Sequence, residues 1–186
     1  MDSQEKWNSK YKDRLTKKLS PEPNNRLLNL SRYFGEGKAL DIACGLGGNS
    51  IFLAEMGYEV TAIDISDVAV DYVQEQAADK KLNITVKTAD LTKEASVFTD
   101  VKYDLAVMTY YLDRSLFPLM KELIKADGYL FIETFFQNGS SGNQSVSNRY
   151  KLESNELLKE FGDWRVLYFE ENEQEGRQTI FCQYQR

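Results

Sequence analysis

The sequence predicts an α/β fold: a seven-stranded, mostly parallel sheet with helices on both faces and an antiparallel hairpin at the C-terminal end. Short runs rich in Val, Ile and Leu alternate with stretches of helical periodicity, the pattern of buried parallel strands joined by covering helices. One buried strand runs into a glycine turn at Gly45, Gly47 and Gly48, and the strand after it stops on Asp64. The last two strand-like runs have no helix between them, which makes them a hairpin.

Residues 1–35 are expected to form a helical arm packed on the same domain, with Trp7 and Tyr11 one helical turn apart to dock it. Residues 36–186 supply the rest of a single domain. Ala39 to Ala43 is the first buried strand, and a helix opens behind the glycine turn. Tyr58 to Ile63 is the second strand, followed by Ser66 as N-cap of a helix whose spacing is carried by Val68, Ala69, Tyr72, Val73, Gln76 and Ala77. Ile84 to Thr88, Leu105 to Met108 and Tyr129 to Glu133 are the third, fourth and fifth strands. Leu116, Leu119, Met120, Leu123 and Ile124 form a helical stripe that ends before Asp127-Gly128. Arg165 to Glu170 and Gln178 to Gln185 close the chain as the hairpin. The polar, glycine-containing segment 138–148 follows the fifth strand; it is a surface loop at the ligand edge, placed to serve as a lid.

A chain of 186 residues fits one domain that buries about 70% of its unfolded surface. No apolar run approaches the roughly 20 residues of a membrane span, and the start lacks a signal-peptide pattern, so the cytoplasm is the expected compartment. Cys44 and Cys182 lie far apart without metal-ligand spacing and are expected to fill buried space as reduced thiols, with no structural metal. The formal charge of −6 argues against a protein that grips nucleic acid through its phosphates. Residues 1–35 nevertheless carry eight basic side chains against four acidic ones. A solvated helix face explains that surplus most simply, and attraction of an anionic substrate or a nucleic-acid backbone is the alternative.

The chemistry concentrates at strand ends. Glycines remove the Cβ atoms that would keep a ligand from the backbone, and the free N–H groups at a helix start meet carboxylate or phosphate. Asp64, nineteen residues beyond Gly45, stands where a carboxylate accepts hydrogen bonds from both ribose hydroxyls. A dinucleotide fingerprint would place a third small residue at Ser50, a weak match. Asp90, in Thr88-Ala-Asp-Leu91, follows the third strand and stands beside Asp64 on the carboxyl edge of the sheet.

Asp41-Ile-Ala-Cys-Gly-Leu-Gly47 resembles motif I of the class I S-adenosylmethionine-dependent methyltransferases, with Ala43 in place of the first glycine, and so implies a Rossmann-like methyltransferase domain. The resemblance implies S-adenosyl-L-methionine as cofactor. Asp41 would help hold the amino group of its methionine moiety, with the Gly45 and Gly47 backbone passing beneath. Asp64 would bind the ribose, with Ile65 against the adenine, and Asp90 would receive the adenine amino group with Leu91 beside it. Asp104-Leu-Ala-Val-Met-Thr-Tyr-Tyr-Leu112 is similar to motif IV, whose exit residues, Thr109 among them, face the methyl donor. Trp7-Asn-Ser-Lys-Tyr11, Tyr111-Leu-Asp-Arg-Ser-Leu-Phe-Pro118 and Gly128-Tyr-Leu-Phe-Ile-Glu-Thr-Phe135 are similar to runs of the tellurite-resistance-type methyltransferases. Where those relatives often carry histidine before the arginine, this chain has Asp113.

The function implied is methyl transfer to a small-molecule acceptor by in-line displacement, with neither nucleic acid nor membrane as partner. A soft anion needs no general base; an oxygen or nitrogen acceptor often does. The chain has no histidine, which leaves Asp113, Glu133, Tyr110, Tyr111 and Tyr11 near the pocket mouth. Tyr11, Tyr111, Asp113 and Arg114 are the acceptor-site and catalytic candidates. Each also has a structural reading: docking or rim aromatics for the tyrosines, a helix cap for Asp113, and an ion pair for Arg114. An RNA or protein methyltransferase would use the same cofactor pocket and stays open as an alternative. A nicotinamide-binding module is disfavoured by Asp90 and the terminal hairpin.

Overall fold

A computed structural model describes residues 2–94, 97–98, 101–137 and 146–185. The chain divides into two compact units, Met1–Val101 and Lys102–Arg186.

The first unit opens with helix α1 (Ser3–Thr16), where the Asp2 N–H donates to Glu5 Oε2 at 3.2 Å and so satisfies an amide at the helix start. Helix α2 (Asn25–Asn29) is a single turn that the sequence pattern did not reveal, begun by Asn24, whose side chain accepts from the Arg26 and Leu27 amides. Strands β1 (Gly37–Ile42), β2 (Tyr58–Asp64) and β3 (Ile84–Thr88) are parallel, in the order β3-β2-β1. Helix α3 (Gly48–Glu55) joins β1 to β2, and helix α4 (Asp67–Lys80) joins β2 to β3. Leu40, Ile42, Val60 and Ile63 are fully buried, as are Leu53 of α3 and Val73 of α4. The last four residues of β1 and the last three of β2 are buried at successive positions, as in a sheet covered on both faces, whereas β3 at the edge has no fully buried residue. Ser66 caps α4 as expected, accepting from the Ala69 N–H at 3.2 Å.

The second unit contains β4 (Tyr103–Thr109), α5 (Leu116–Leu123), β5 (Ile124–Phe135), α6 (Glu156–Phe161), β6 (Arg165–Asn172) and β7 (Arg177–Gln183). β4 and β5 are parallel, whereas β7 runs antiparallel to both β5 and β6. The hairpin is therefore present, with its second strand set beside β5. With the order β4-β5-β7-β6 in this unit, the seven strands give the mostly parallel Rossmann-like sheet that the sequence predicts.

One boundary differs from expectation. Ile124 belongs to β5 and not to the preceding helix, because it pairs with Tyr103 across a register shift before Leu105 pairs with Tyr129. Asp127, at φ +65°, lies in the bulge that this shift creates. Its N–H donates to the Tyr184 carbonyl at 2.9 Å, so the Asp-Gly pair that reads as a helix stop is a strand irregularity. The polar loop 138–148 lies largely outside the described residues.

Candidate functional site

The carboxyl ends of β1 and β2 make the centre of the first unit's site. After Ile42 the backbone turns left-handed at Ala43 (φ +56°), Gly45 (φ +55°) and Gly47 (φ +77°). Only glycine holds this conformation freely, and the Ala43 methyl costs on the order of 1 kcal/mol there. The Cys44 N–H donates to the Ile63 carbonyl and the Gly47 N–H to the Cys44 carbonyl, each at 3.0 Å, which ties the turn to β2 before α3 starts. Space is restricted as well. A Cβ on Gly45 would stand 2.9 Å from Tyr11 Oη, one on Gly47 would stand 2.6 Å from Val73 Cγ2, and one on Gly48 would stand 2.3 Å from the Glu22 carbonyl oxygen.

Asp64 joins the two βα turns. Its Oδ2 accepts from the Gly45 N–H at 2.8 Å and its Oδ1 from the Ser66 N–H at 2.9 Å. Burial raises its pKa, and the amides of Ser66, Gly45 and Ile65 draw it partly back. Asp41 lies deeper, 1% exposed. Its Oδ2 accepts from Ser50 Oγ at 2.5 Å, whereas Oδ1 is buried without a hydrogen-bond partner. Burial pushes the Asp41 carboxyl up to about 7, against the Ser50 hydrogen bond and with the Asp64 charge. An orphaned buried carboxylate oxygen costs on the order of 1–3 kcal/mol or more, and a cationic donor would relieve it.

Tyr11 covers the turn from α1. It is buried against Leu46 and Ala69, with Trp7 and Tyr72 packed around them, and its ring stacks on Trp7 at 5.7 Å. Burial raises its pKa, with the Asp64 charge adding to the effect. Asn8 Oδ1 accepts from Ser66 Oγ at 2.6 Å, and Gln4 Nε2 donates to Asp67 Oδ2 at 3.0 Å, fastening α1 to the start of α4. Asn8, Ser50 and Ser66 complete the site, and the only sequence signals for them were a cap position and a failed fingerprint position.

Asp90 follows β3, and the Ala89 N–H donates to the Asp64 carbonyl at 2.9 Å, so the two acidic residues are neighbours on one sheet edge. Asp90 Oδ1 accepts from Thr92 Oγ1 at 2.6 Å, and Lys93 Nζ lies 2.8 Å from Oδ2. Lys93 and Thr92 hold the Asp90 carboxyl below the usual carboxylate range. Ile65 is half-buried and Leu91 buried beside these acids in sequence.

In the second unit, Thr109 ends β4, and Tyr111, Asp113 and Arg114 follow in one loop. Asp113 Oδ1 accepts from the Ser115 N–H at 3.0 Å and from its Oγ at 2.6 Å, a local turn that leads into α5. Arg114 reaches α6: Nε and Nη2 donate to the two Glu156 carboxylate oxygens at 2.5 and 2.8 Å, and Nη2 also donates to the Lys151 carbonyl at 3.0 Å. The Glu156 carboxylate raises the Arg114 pKa. The guanidinium thus braces the segment before α6.

Tyr110 stands between these candidates at φ +54°, a conformation that strains a bulky residue by about 1–2 kcal/mol. Its N–H donates to the Glu133 carbonyl at 2.8 Å and its Oη to Glu133 Oε1 at 2.9 Å. Glu133 is fully buried on β5. Its Oε2 accepts from Thr179 Oγ1 at 2.7 Å and from Arg177 Nη1 at 3.3 Å. Arg177, itself buried, also bonds Glu175 at 2.5 Å and has Nη2 2.8 Å from Glu170 Oε2, off the hydrogen-bond direction. Nothing in the sequence flagged Arg177, which falls between the two strand-like runs of the hairpin.

Among the described residues no helix is long and apolar enough to cross a membrane, and no group of three or more His, Cys, Asp or Glu is placed to hold a metal ion.

Comparison with known proteins follows this geometry. The "Probable S-adenosyl-L-methionine-dependent methyltransferase TehB" of Haemophilus influenzae is 26% identical over 160 residues, covering 82% of this chain and 54% of that protein. The crystal structure of TehB from Haemophilus influenzae superposes with a TM-score of 0.79 at 24% identity, covering 94% of this chain and 67% of the other, and so shows the fold. A ubiquinone biosynthesis O-methyltransferase from Glaesserella parasuis is 33% identical over 109 residues, covering 54% of this chain and 46% of the relative. The chain spans about half the length of the curated relatives it matches. Residues 8–180 match the family model for the tellurite resistance protein TehB, and the chain belongs to that family.

Proposed function

We propose that the protein is an S-adenosylmethionine-dependent methyltransferase that passes a methyl group to a small-molecule acceptor by in-line displacement, in the cytoplasm. The observation that carries this reading is the orphaned Asp41 Oδ1, a buried carboxylate oxygen on the strand that runs into the glycine turn. The residues fit the cofactor. Asp41 supplies an opposite charge for its ammonium group, Gly45 and Gly47 supply bare backbone, and Asp64 supplies a carboxylate for the ribose hydroxyls. Ile65 and Leu91 offer apolar faces to the adenine, and Asp90 accepts from its amino group. When bound, the cofactor supplies a methyl group on a positively charged sulfur. Tyr11, over the glycine turn, excludes water from it, and Tyr111, Asp113 and Arg114 are acceptor-site candidates by the family likeness alone. A small acceptor agrees with the net charge of −6, which disfavours a phosphate backbone as partner, and with relatives named for small-molecule methylation.

The test is calorimetric titration of the protein with S-adenosylmethionine. Asp64→Ala is expected to weaken binding by about tenfold or more, as loss of hydrogen bonds to a charged group implies, with the circular dichroism spectrum unchanged. Equal affinity in the variant and the wild type would remove the ribose role.

A further inference from the structure

Resting on the methyltransferase reading, we propose that Ser50 is a positioning residue for the donor's ammonium group: its hydroxyl pins one oxygen of Asp41 and keeps the other available, and charged, for the amino-acid tail. Ser50 Oγ donates to Asp41 Oδ2 at 2.5 Å, and the two side chains are 0% and 1% exposed. With Oδ2 engaged in this way, Oδ1 is the oxygen left buried without a partner. The serine acts through the carboxylate and has no need to touch the donor.

A serine within a helix commonly returns its proton to the carbonyl one turn back. Ser50, in the first turn of α3, gives it instead to a carboxylate nine residues earlier on β1. The 2.5 Å separation lies in the range of hydrogen bonds from a hydroxyl to an ionised carboxylate. Other influences on Asp41 oppose ionisation. The titratable groups within its electrostatic reach are Asp64 of β2, Cys44 of the turn and Tyr11 of α1, and among the described residues no lysine or arginine acts on it. Burial and the Asp64 charge raise its proton affinity, and the hydrogen bond from Ser50 draws it back. An ammonium ligand favours the ionised form, so the serine sets the pH at which this seat becomes usable.

The test is calorimetric titration of the full chain as wild type, Ser50→Ala and Asp41→Asn between pH 6 and 8.5. Two thioether nucleosides serve as probes: S-adenosylhomocysteine, which has the amino-acid tail, and 5′-methylthioadenosine, which lacks it. In the wild type, S-adenosylhomocysteine affinity is expected to rise with pH and level off above about 7. Ser50→Ala is expected to move that midpoint up by about one pH unit, leaving affinity about tenfold weaker at pH 6.5 and within about threefold of wild type at pH 8.5. Its 5′-methylthioadenosine affinity is expected to stay within about threefold throughout, a split that a merely structural role for the serine would not give. Should Ser50→Ala fail to fold, Ser50→Cys, which fills similar space with a weak donor, decides in its place. An unmoved midpoint, or equal losses on both probes, would overturn the positioning role. Unchanged S-adenosylhomocysteine affinity in Asp41→Asn would seat the ammonium group elsewhere and overturn it as well, with the methyltransferase reading intact. A wild type that does not bind S-adenosylhomocysteine at any pH removes that reading itself and this proposal with it.

Discussion

Asp41 is the residue whose protonation governs the first unit. Because burial raises its pKa to about 7, the folded protein binds that proton more tightly than the unfolded chain does. The stability this group lends is fully present below about pH 4 and is lost as pH rises through about 7. A bound ammonium group acts in the opposite sense, favouring the ionised carboxylate. Donor affinity is therefore expected to fall by up to about tenfold per pH unit below pH 7, with a proton released on binding. Asp41→Asn is expected to bind more weakly and to flatten this part of the profile. Calorimetry between pH 5 and 8 in buffers of different ionisation enthalpy checks both. Asp64 stood out in the sequence by its place at the end of the strand after the glycine turn, and Asp41 only through its match to motif I. Ser50 was legible only as a mismatch, and its hydrogen bond to Asp41 depends on how α3 turns after Gly47.

At the scale of elements, the start of α3 is the most tightly built junction. Gly48 has no positive φ to explain it. Its role is steric, since the Glu22 carbonyl oxygen would lie 2.3 Å from a Cβ there. Nearby, the Asn24 N–H donates to Asn49 Oδ1 at 2.8 Å, holding the segment between α1 and α2 against the helix. Gly48→Ala must push backbone against backbone and is expected to cost about 1–3 kcal/mol, lowering Tm by roughly 3–10 °C in a chain of this size. A thermal scan measures it. The long strands and α4 were readable because they carry enough periodic positions to outvote chance. Helix α2, at five residues, is too short for a periodic signal. The start of β5 was misread because Ile124 fits the α5 stripe equally well, and only pairing with Tyr103 decides between them. The Arg177 assembly was invisible for a similar reason: its carboxylates come from β5, β6 and the hairpin turn, and no spacing rule connects them.

The whole molecule responds to its ligand through mass action. At a donor concentration of 100 Kd the native state gains about 2.7 kcal/mol, which corresponds to a rise of roughly 5–10 °C in Tm. Differential scanning fluorimetry is expected to show this for S-adenosylmethionine and not for a nicotinamide dinucleotide, and a dinucleotide-specific rise would favour the module that Asp90 and the hairpin argue against. The double grip of Asp64 on the Gly45 and Ser66 amides shapes the proposed nucleoside site before any guest arrives. A carboxylate has about four lone-pair sites, so a sugar can dock without those grips being released. Little chain entropy is then forfeited on docking, and affinity there is decided by complementarity instead of by the cost of ordering a loop.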